Sequence, residues 1–152
     1  MAFYVFYKAA SVFDFSAEAG LWGLAISAFV SATILPGNSE IVLIAVLAKH
    51  PDTIWLAIAV ATIGNTLGGV TSYWLGRLIP NKANHRALAW LRHYGESLLL
   101  LSWVPLVGDA ICVAAGWLRL PPWRSALLLA VGKLARYLIV AGAWSWFATT
   151  FL

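Results

Sequence analysis

A chain of 152 residues that is 62% hydrophobic and 11% charged holds far less charge than a soluble domain, where about a quarter of residues are ionic. That much apolar surface does not fit inside a water-facing globule of this size, so lipid is the solvent. The basic residues behind the net charge of +4 lie beside membrane segments, which argues against nucleic acid as a partner, and the single cysteine, Cys112, excludes an internal disulfide or a multi-cysteine metal site.

Residues 1–19 are rich in aromatics but lack the basic start of a signal peptide, and Asp14 and Glu18 follow their short apolar stretch. They read as an interfacial segment. Residues 20–48 form a first apolar block, broken by LPGNSE (Leu35 to Glu40). Residues 53–79 form a second, with no charged side chain from 53 to 76, longer than the about 20 residues that span a bilayer. Within it Gly64, Gly68, Ser72 and Gly76 recur every fourth residue, a small-residue seam that lets another backbone approach closely. Asn65 and Tyr73 sit beside that seam, with hydrogen bonds to offer across it.

A connector follows at residues 80–96. Arg77, Lys82, His85, Arg86, Arg92 and His93 fall between Gly76 and Glu96 with no acid among them. The positive-inside rule puts this stretch in the cytoplasm, beside anionic lipid heads. Part of it, ANHRALAWLRHYG at residues 83–95, reads as a short amphipathic helix. A third apolar block, residues 97–118, is broken by WVPLVGD, and after LRLPPWR a fourth runs from 125 to 152.

Blocks one and three share landmarks. Pro36 precedes Glu40 by four residues and Pro105 precedes Asp109 by four; Glu40 precedes Pro51 by 11 and Asp109 precedes Pro121 by 12. Each block is followed by one long apolar block, so the chain is a twofold repeat. Proline and glycine break a helix, and broken backbone survives in lipid only where protein or a water-filled cavity covers it. The expected fold is therefore an all-α integral membrane protein, a single membrane domain over 1–152. It comprises two inverted repeats, 20–79 and 97–152, each a re-entrant helical hairpin followed by a transmembrane helix. Pro36, Gly37, Asn38, Pro105 and Gly108 would form the hairpin tips. The competing arrangement is a plain four-span bundle with two kinked helices.

Away from their ends, the apolar blocks hold four charged residues: Glu40, Asp109, Lys133 and Arg136. Charges in a membrane interior face protein and pair, and Lys133 and Arg136, three apart, share a helix face. They are expected either to bind an anionic head group, with the acids as protonatable gates, or to form salt bridges that only fix the fold. No histidine has metal-ligand spacing with carboxylates, and no GxSxG, HExxH or P-loop is present. Neither a cofactor nor an enzymatic activity is expected.

The strings LPGNSEIVLIAVLA, GNTLGGVTSYWLGR and LLLLSWVPLVGDAICVAAGWLRLPPWRSALLLAVGKLARY resemble the DedA family, also called SNARE-associated Golgi proteins or the VTT domain, and in particular its short YqaA-like bacterial branch. The resemblance covers about residues 24 to 142. It implies a multi-pass protein of the bacterial inner membrane and movement of lipids between leaflets, in some members dependent on the proton motive force. Three departures stand out. Family members carry an acid directly after the first Pro-Gly, whereas Glu40 comes three residues after Gly37. They carry an acid where this chain has Gly69, and arginines around the second hairpin's proline where it has Ser102 and Gly108. The head-group role of those arginines would fall here to Lys133 and Arg136.

The expected function is that of a lipid transporter or flippase for an anionic polyprenyl phosphate or phospholipid, with protons as a coupling ion. Glu40 and Asp109 would gate it, and Asn65, Gly68, Gly69 and Tyr73 would line the path. A homodimer is one way for so small a chain to enclose a lipid route. The alternative is a non-transporting accessory protein that supports the envelope through a protein partner. An enzyme acting on lipid phosphates has the least support, for want of an activated nucleophile or a metal set.

Overall fold

The computed structural model describes residues 16–33, 38–80, 94–104 and 107–151. Pro36, Gly37 and Pro105, nearly all of the basic connector and residues 1–15 lie outside them. Every regular element among the described residues is helical. In chain order these are α1 (Ala17–Ser31), α2 (Ser39–Lys49), a single 3-10 turn (Pro51–Thr53), α3 (Ile54–Leu78), a 3-10 segment (Gly95–Trp103), α4 (Val107–Trp117) and α5 (Pro122–Phe151).

Length sorts them. At about 1.5 Å per residue, α3 with its 25 residues and α5 with its 30 exceed the roughly 30 Å of a bilayer's hydrocarbon layer. Both are apolar enough to cross it. Helix α1 has 15 residues, and α2 and α4 have 11 each; at the same rise none of these spans. Each half of the chain therefore consists of two short pieces on either side of a break, then one long helix.

The breaks have local causes. Helix α1 opens with Ser16 as its N-cap, the side chain accepting from the Ala19 N–H at 3.2 Å, which satisfies a donor that the first turn leaves unpaired. Its C-cap is Ala32, six residues before Asn38, the N-cap of α2. In the second half the 3-10 segment starts at Gly95, whose φ of +56° lies in the left-handed region that glycine enters without steric cost. Val104 is extended, and α4 begins three residues later. Helix α4 closes with paired bonds, Leu120 N–H to Ala115 C=O at 3.1 Å and Arg119 N–H to Gly116 C=O at 2.9 Å. That is a Schellman closure, and its left-handed position is held by Arg119 at φ 55°, where glycine is the usual occupant.

The small-residue seam of α3 is divided between two neighbours. A methyl group on Gly64 would meet the Ala25 carbonyl at 2.7 Å, and one on Gly68 would press into Phe29 and Ala32, all on α1. The contacts advance together along the two helices, so α1 and α3 run side by side in the same direction. Ser72 seals that contact by donating to the Ala32 carbonyl at 2.8 Å. Gly76, one turn further on, packs instead on the Val113 backbone of α4, and Gly116 of α4 packs on the backbone of Tyr73. Helix α5 runs back along α3, with Lys133 beside Gly69 and Tyr137 beside Asn65.

Two cores result. One joins α1, α2, the start of α3 and the C-terminal half of α5 around Leu24, Leu43, Leu47, Ala61 and Tyr137. The other joins the end of α3, the 3-10 segment, α4 and the start of α5 around Tyr73, Leu99, Ile111, Cys112 and Leu129. The outer faces of α3 and α5 carry exposed Leu67, Leu75, Val131 and Leu138, an arrangement suited to acyl chains rather than water.

Candidate functional site

Between the two cores runs a line of polar side chains. Helix α5 supplies three of them within five residues: Lys133, Arg136 and Tyr137, spaced to face inward together. They are 0%, 6% and 0% exposed, so each must find partners inside the protein. Lys133 Nζ lies 3.3 Å from Asp109 Oδ1, in the first turn of α4. It also donates to Asn65 Oδ1 on α3. Arg136 pairs with Glu40, in the first turn of α2. The two carboxylates come from different halves of the chain and meet cations one helical turn apart.

Asn65, 1% exposed, joins the two pairs. Its amide nitrogen donates to Tyr137 Oη at 2.8 Å and to Ser31 Oγ at 3.3 Å, while its oxygen accepts from Lys133. The amide orientation follows from the network, since only this choice meets two hydroxyls and an ammonium. Tyr137 passes the chain on by donating to Ser39 Oγ at 3.0 Å, and Ser39 reaches Glu40 Oε2 at 3.5 Å. A polar thread thus runs Asp109, Lys133, Asn65, Tyr137, Ser39, Glu40, Arg136, with Ser31 as a branch from Asn65.

The thread is closed at its centre and more open at its ends. The side chains of Asp109 and Glu40 are 22% and 18% exposed, whereas Lys133, Asn65, Tyr137 and Ser39 are buried. One donor is unmatched: Arg136 Nε is buried with no hydrogen-bond partner among the described residues. A guanidinium whose carboxylate partner is displaced, with this donor also free, can take an oxyanion bidentately.

The remaining candidates separate. Gly69 lies against Lys133, where a methyl group would come within 3.1 Å of Cε and 3.3 Å of the Cys112 sulfur. Cys112 is fully buried, its thiol donating to the Gly108 carbonyl at 3.1 Å. Gly108 packs on the Ser102 backbone, and Gly68 serves the α1 contact. Asn38 caps α2 with its backbone carbonyl but makes no side-chain cap bond. Tyr73 is away from the thread: its hydroxyl donates to the Leu120 carbonyl and accepts from Arg77 Nη1 at 2.8 Å. Three members of the thread, Ser31, Ser39 and Tyr137, have no conspicuous sequence signal; Tyr137 follows Arg136 and stands one turn from Lys133, the one hint available. Among the described residues no group of histidine, cysteine and acid side chains could hold a metal ion.

The model of the VTT domain matches residues 35–145, a stretch that contains every member of the thread except Ser31. The chain belongs to the VTT-domain family. It is 46% identical over 127 residues to the inner membrane protein YqaA of Escherichia coli and to that of Shigella flexneri, an alignment covering 81% of this chain and 89% of the relative in each case. It is 44% identical over 138 residues to an uncharacterized protein of Haemophilus influenzae, covering 82% of this chain and 87% of that one. No solved structure matches. The resemblance drawn from the sequence motifs is thus borne out. This VTT-domain protein is a multi-pass protein of the bacterial inner membrane, and its buried ionic thread lies in a setting where unpaired charge is costly.

Proposed function

We propose that this VTT-domain protein carries lipids with a phosphate-bearing head group from one leaflet to the other, through a polar centre shared by two inverted, re-entrant hairpins. One observation carries the reading: acids from the two halves, Glu40 and Asp109, both engage the α5 cations at the level of the α3 midpoint. Two further features support it. Helix α2 packs against the first part of α3 and α1 follows α3 from there as far as Ser72, whereas the 3-10 segment and α4 pack against its last part or the adjoining start of α5. No single one of these short pieces is long enough to cross. Hairpins entering from opposite faces would have their tips at this centre, in the manner of transporters with broken helices.

In this reading the head-group phosphate displaces a carboxylate from Arg136, using the spare Nε donor, while the acyl chains stay outside in lipid. The displaced Glu40, already partly accessible, takes up a proton, which links movement to a proton gradient. The purified protein in liposomes with a dithionite-reducible phospholipid should expose inner-leaflet probe. Arg136→Ala and Glu40→Gln should lower that rate at least tenfold, and a reversed pH gradient should change it in the wild type alone. For the architecture, Asn38→Cys and Val107→Cys should react with impermeant thiol reagents from opposite sides.

A second reading has its own support, because both cations are already neutralised by carboxylates. In that reading the thread is a structural brace and the protein an accessory to the envelope. Folded protein that moves no lipid above empty vesicles would favour it and remove the first.

A further inference from the structure

Away from the thread, the end of the molecule where α3 stops and α5 starts gathers arginines. Arg77 donates from Nη1 to Tyr73 Oη at 2.8 Å and lies 5.4 Å from the centre of the Trp74 ring, so its guanidinium is held in place from two directions. The Tyr73 hydroxyl in turn donates to the Leu120 carbonyl, which ties the turn between α4 and α5 to the end of α3. That turn carries Arg119 and, just inside α5, Arg124, both exposed. Around them stand Trp74 and Trp123, 51% and 75% exposed, and Trp117, whose indole N–H donates to the Pro80 carbonyl at 3.4 Å. Tryptophan with arginine at one level is the signature of a head-group layer. The acids with described side chains are elsewhere: Glu18 and Asp52 lie in the first turns of α1 and of the 3-10 turn before α3, and Glu40 and Asp109 are in the thread.

Arg119 adds a second line of argument. It occupies the left-handed position of the α4 closure, where glycine would fit without strain. A non-glycine side chain held there is a recognised mark of a binding position, and the turn presents this side chain outward.

We infer that Arg77, Arg119 and Arg124 form a binding site for the phosphate of an anionic glycerophospholipid head group in the adjoining leaflet, separate from the polar thread and independent of transport. Arg77 is the preset element, and Arg119 and Arg124 close on the phosphate from the turn. In the sequence the connector holds three further cations, Lys82, Arg86 and Arg92, so the test must separate the two groups.

Native mass spectrometry of the full chain, released from micelles holding equal phosphatidylglycerol and phosphatidylcholine, reads bound lipid directly. The wild type should hold phosphatidylglycerol with a preference of about tenfold. Arg119→Gln with Arg124→Gln should bring the ratio close to one; these exposed positions leave the fold intact, which near-ultraviolet circular dichroism checks. Replacing Lys82, Arg86 and Arg92 together by Gln should keep the preference, and millimolar inorganic phosphate should not displace the lipid. An equal occupancy in the wild type, or a preference that survives the Arg119 and Arg124 changes and disappears with the connector changes, overturns the site. Displacement by inorganic phosphate would overturn the lipid as its occupant.

Discussion

The two halves of the molecule each deliver one carboxylate to α5, but they hold the cation differently. The second half's carboxylate, Asp109, shares Lys133 with Asn65 of α3. The first half's carboxylate, Glu40, is the partner of Arg136 among the described residues, and one donor of that guanidinium has no partner there. The supporting pieces differ as well: the first half uses two α-helices, and the second replaces one of them with a 3-10 segment, whose poorer hydrogen-bond geometry makes it the more deformable form. An ion pair buttressed by an amide is a fixed point, and one resting on a single carboxylate is the natural place for exchange. The lesson is that matching proline-to-acid spacing in the two halves does not require matching use.

The comparison can be broken most directly at the acids. Glu40→Ala leaves a buried guanidinium unpaired and should cost about 3 to 5 kcal/mol. Asp109→Ala leaves Lys133 on Asn65 and should cost only about 1 to 3 kcal/mol. Thermal unfolding of the purified variants in detergent reads both, and equal losses would remove the asymmetry. Asn65→Ala comes next: it strips a partner from Lys133, Tyr137 and Ser31 together, for an expected loss of about 2 to 3 kcal/mol. If Asn65 braces the Lys133–Asp109 pair, its loss and that of Asp109 should be strongly non-additive in a double-mutant cycle.

How much of this could be read in the chain before its structure follows from cost. Charges in an apolar block are conspicuous because lipid penalises them, so Glu40, Asp109, Lys133 and Arg136 stood out. The prolines marked the breaks for a similar reason, although Pro36 and Pro105 themselves lie outside the described residues. Hydroxyls are different. Ser31, Ser39 and Tyr137 carry no such penalty when they can bond to a helix carbonyl or a neighbour, so nothing in their spacing announced the thread. The stripe Gly64, Gly68, Ser72 and Gly76 was visible as one seam, but a period of four does not say that a helix changes partner along its length. The 3-10 form of Gly95–Trp103 was also out of reach, since ESLLLLSW has the composition of an ordinary apolar helix.

Two smaller effects sharpen the contrast between centre and rim. Tyr137→Phe keeps the ring in its core and removes only the link from Asn65 to Ser39, so about 1 kcal/mol of stability should go. Proton-linked transport, if it passes through this link, should fall more steeply than stability does. At the rim, Arg119→Gly should raise stability by about 0.5 to 1 kcal/mol by relieving the left-handed backbone. The same change should weaken lipid retention, so that stability and binding move in opposite directions.

Cys112 is the one sulfhydryl in the chain, and it is wedged between Gly69, Lys133 and the Gly108 carbonyl. The chain therefore carries its own reporter in the packing of α4 against α3 and α5. Any outward swing of α4 from α3 would uncover it, and a small maleimide would count the open molecules by mass, in unmutated protein and in native membranes alike.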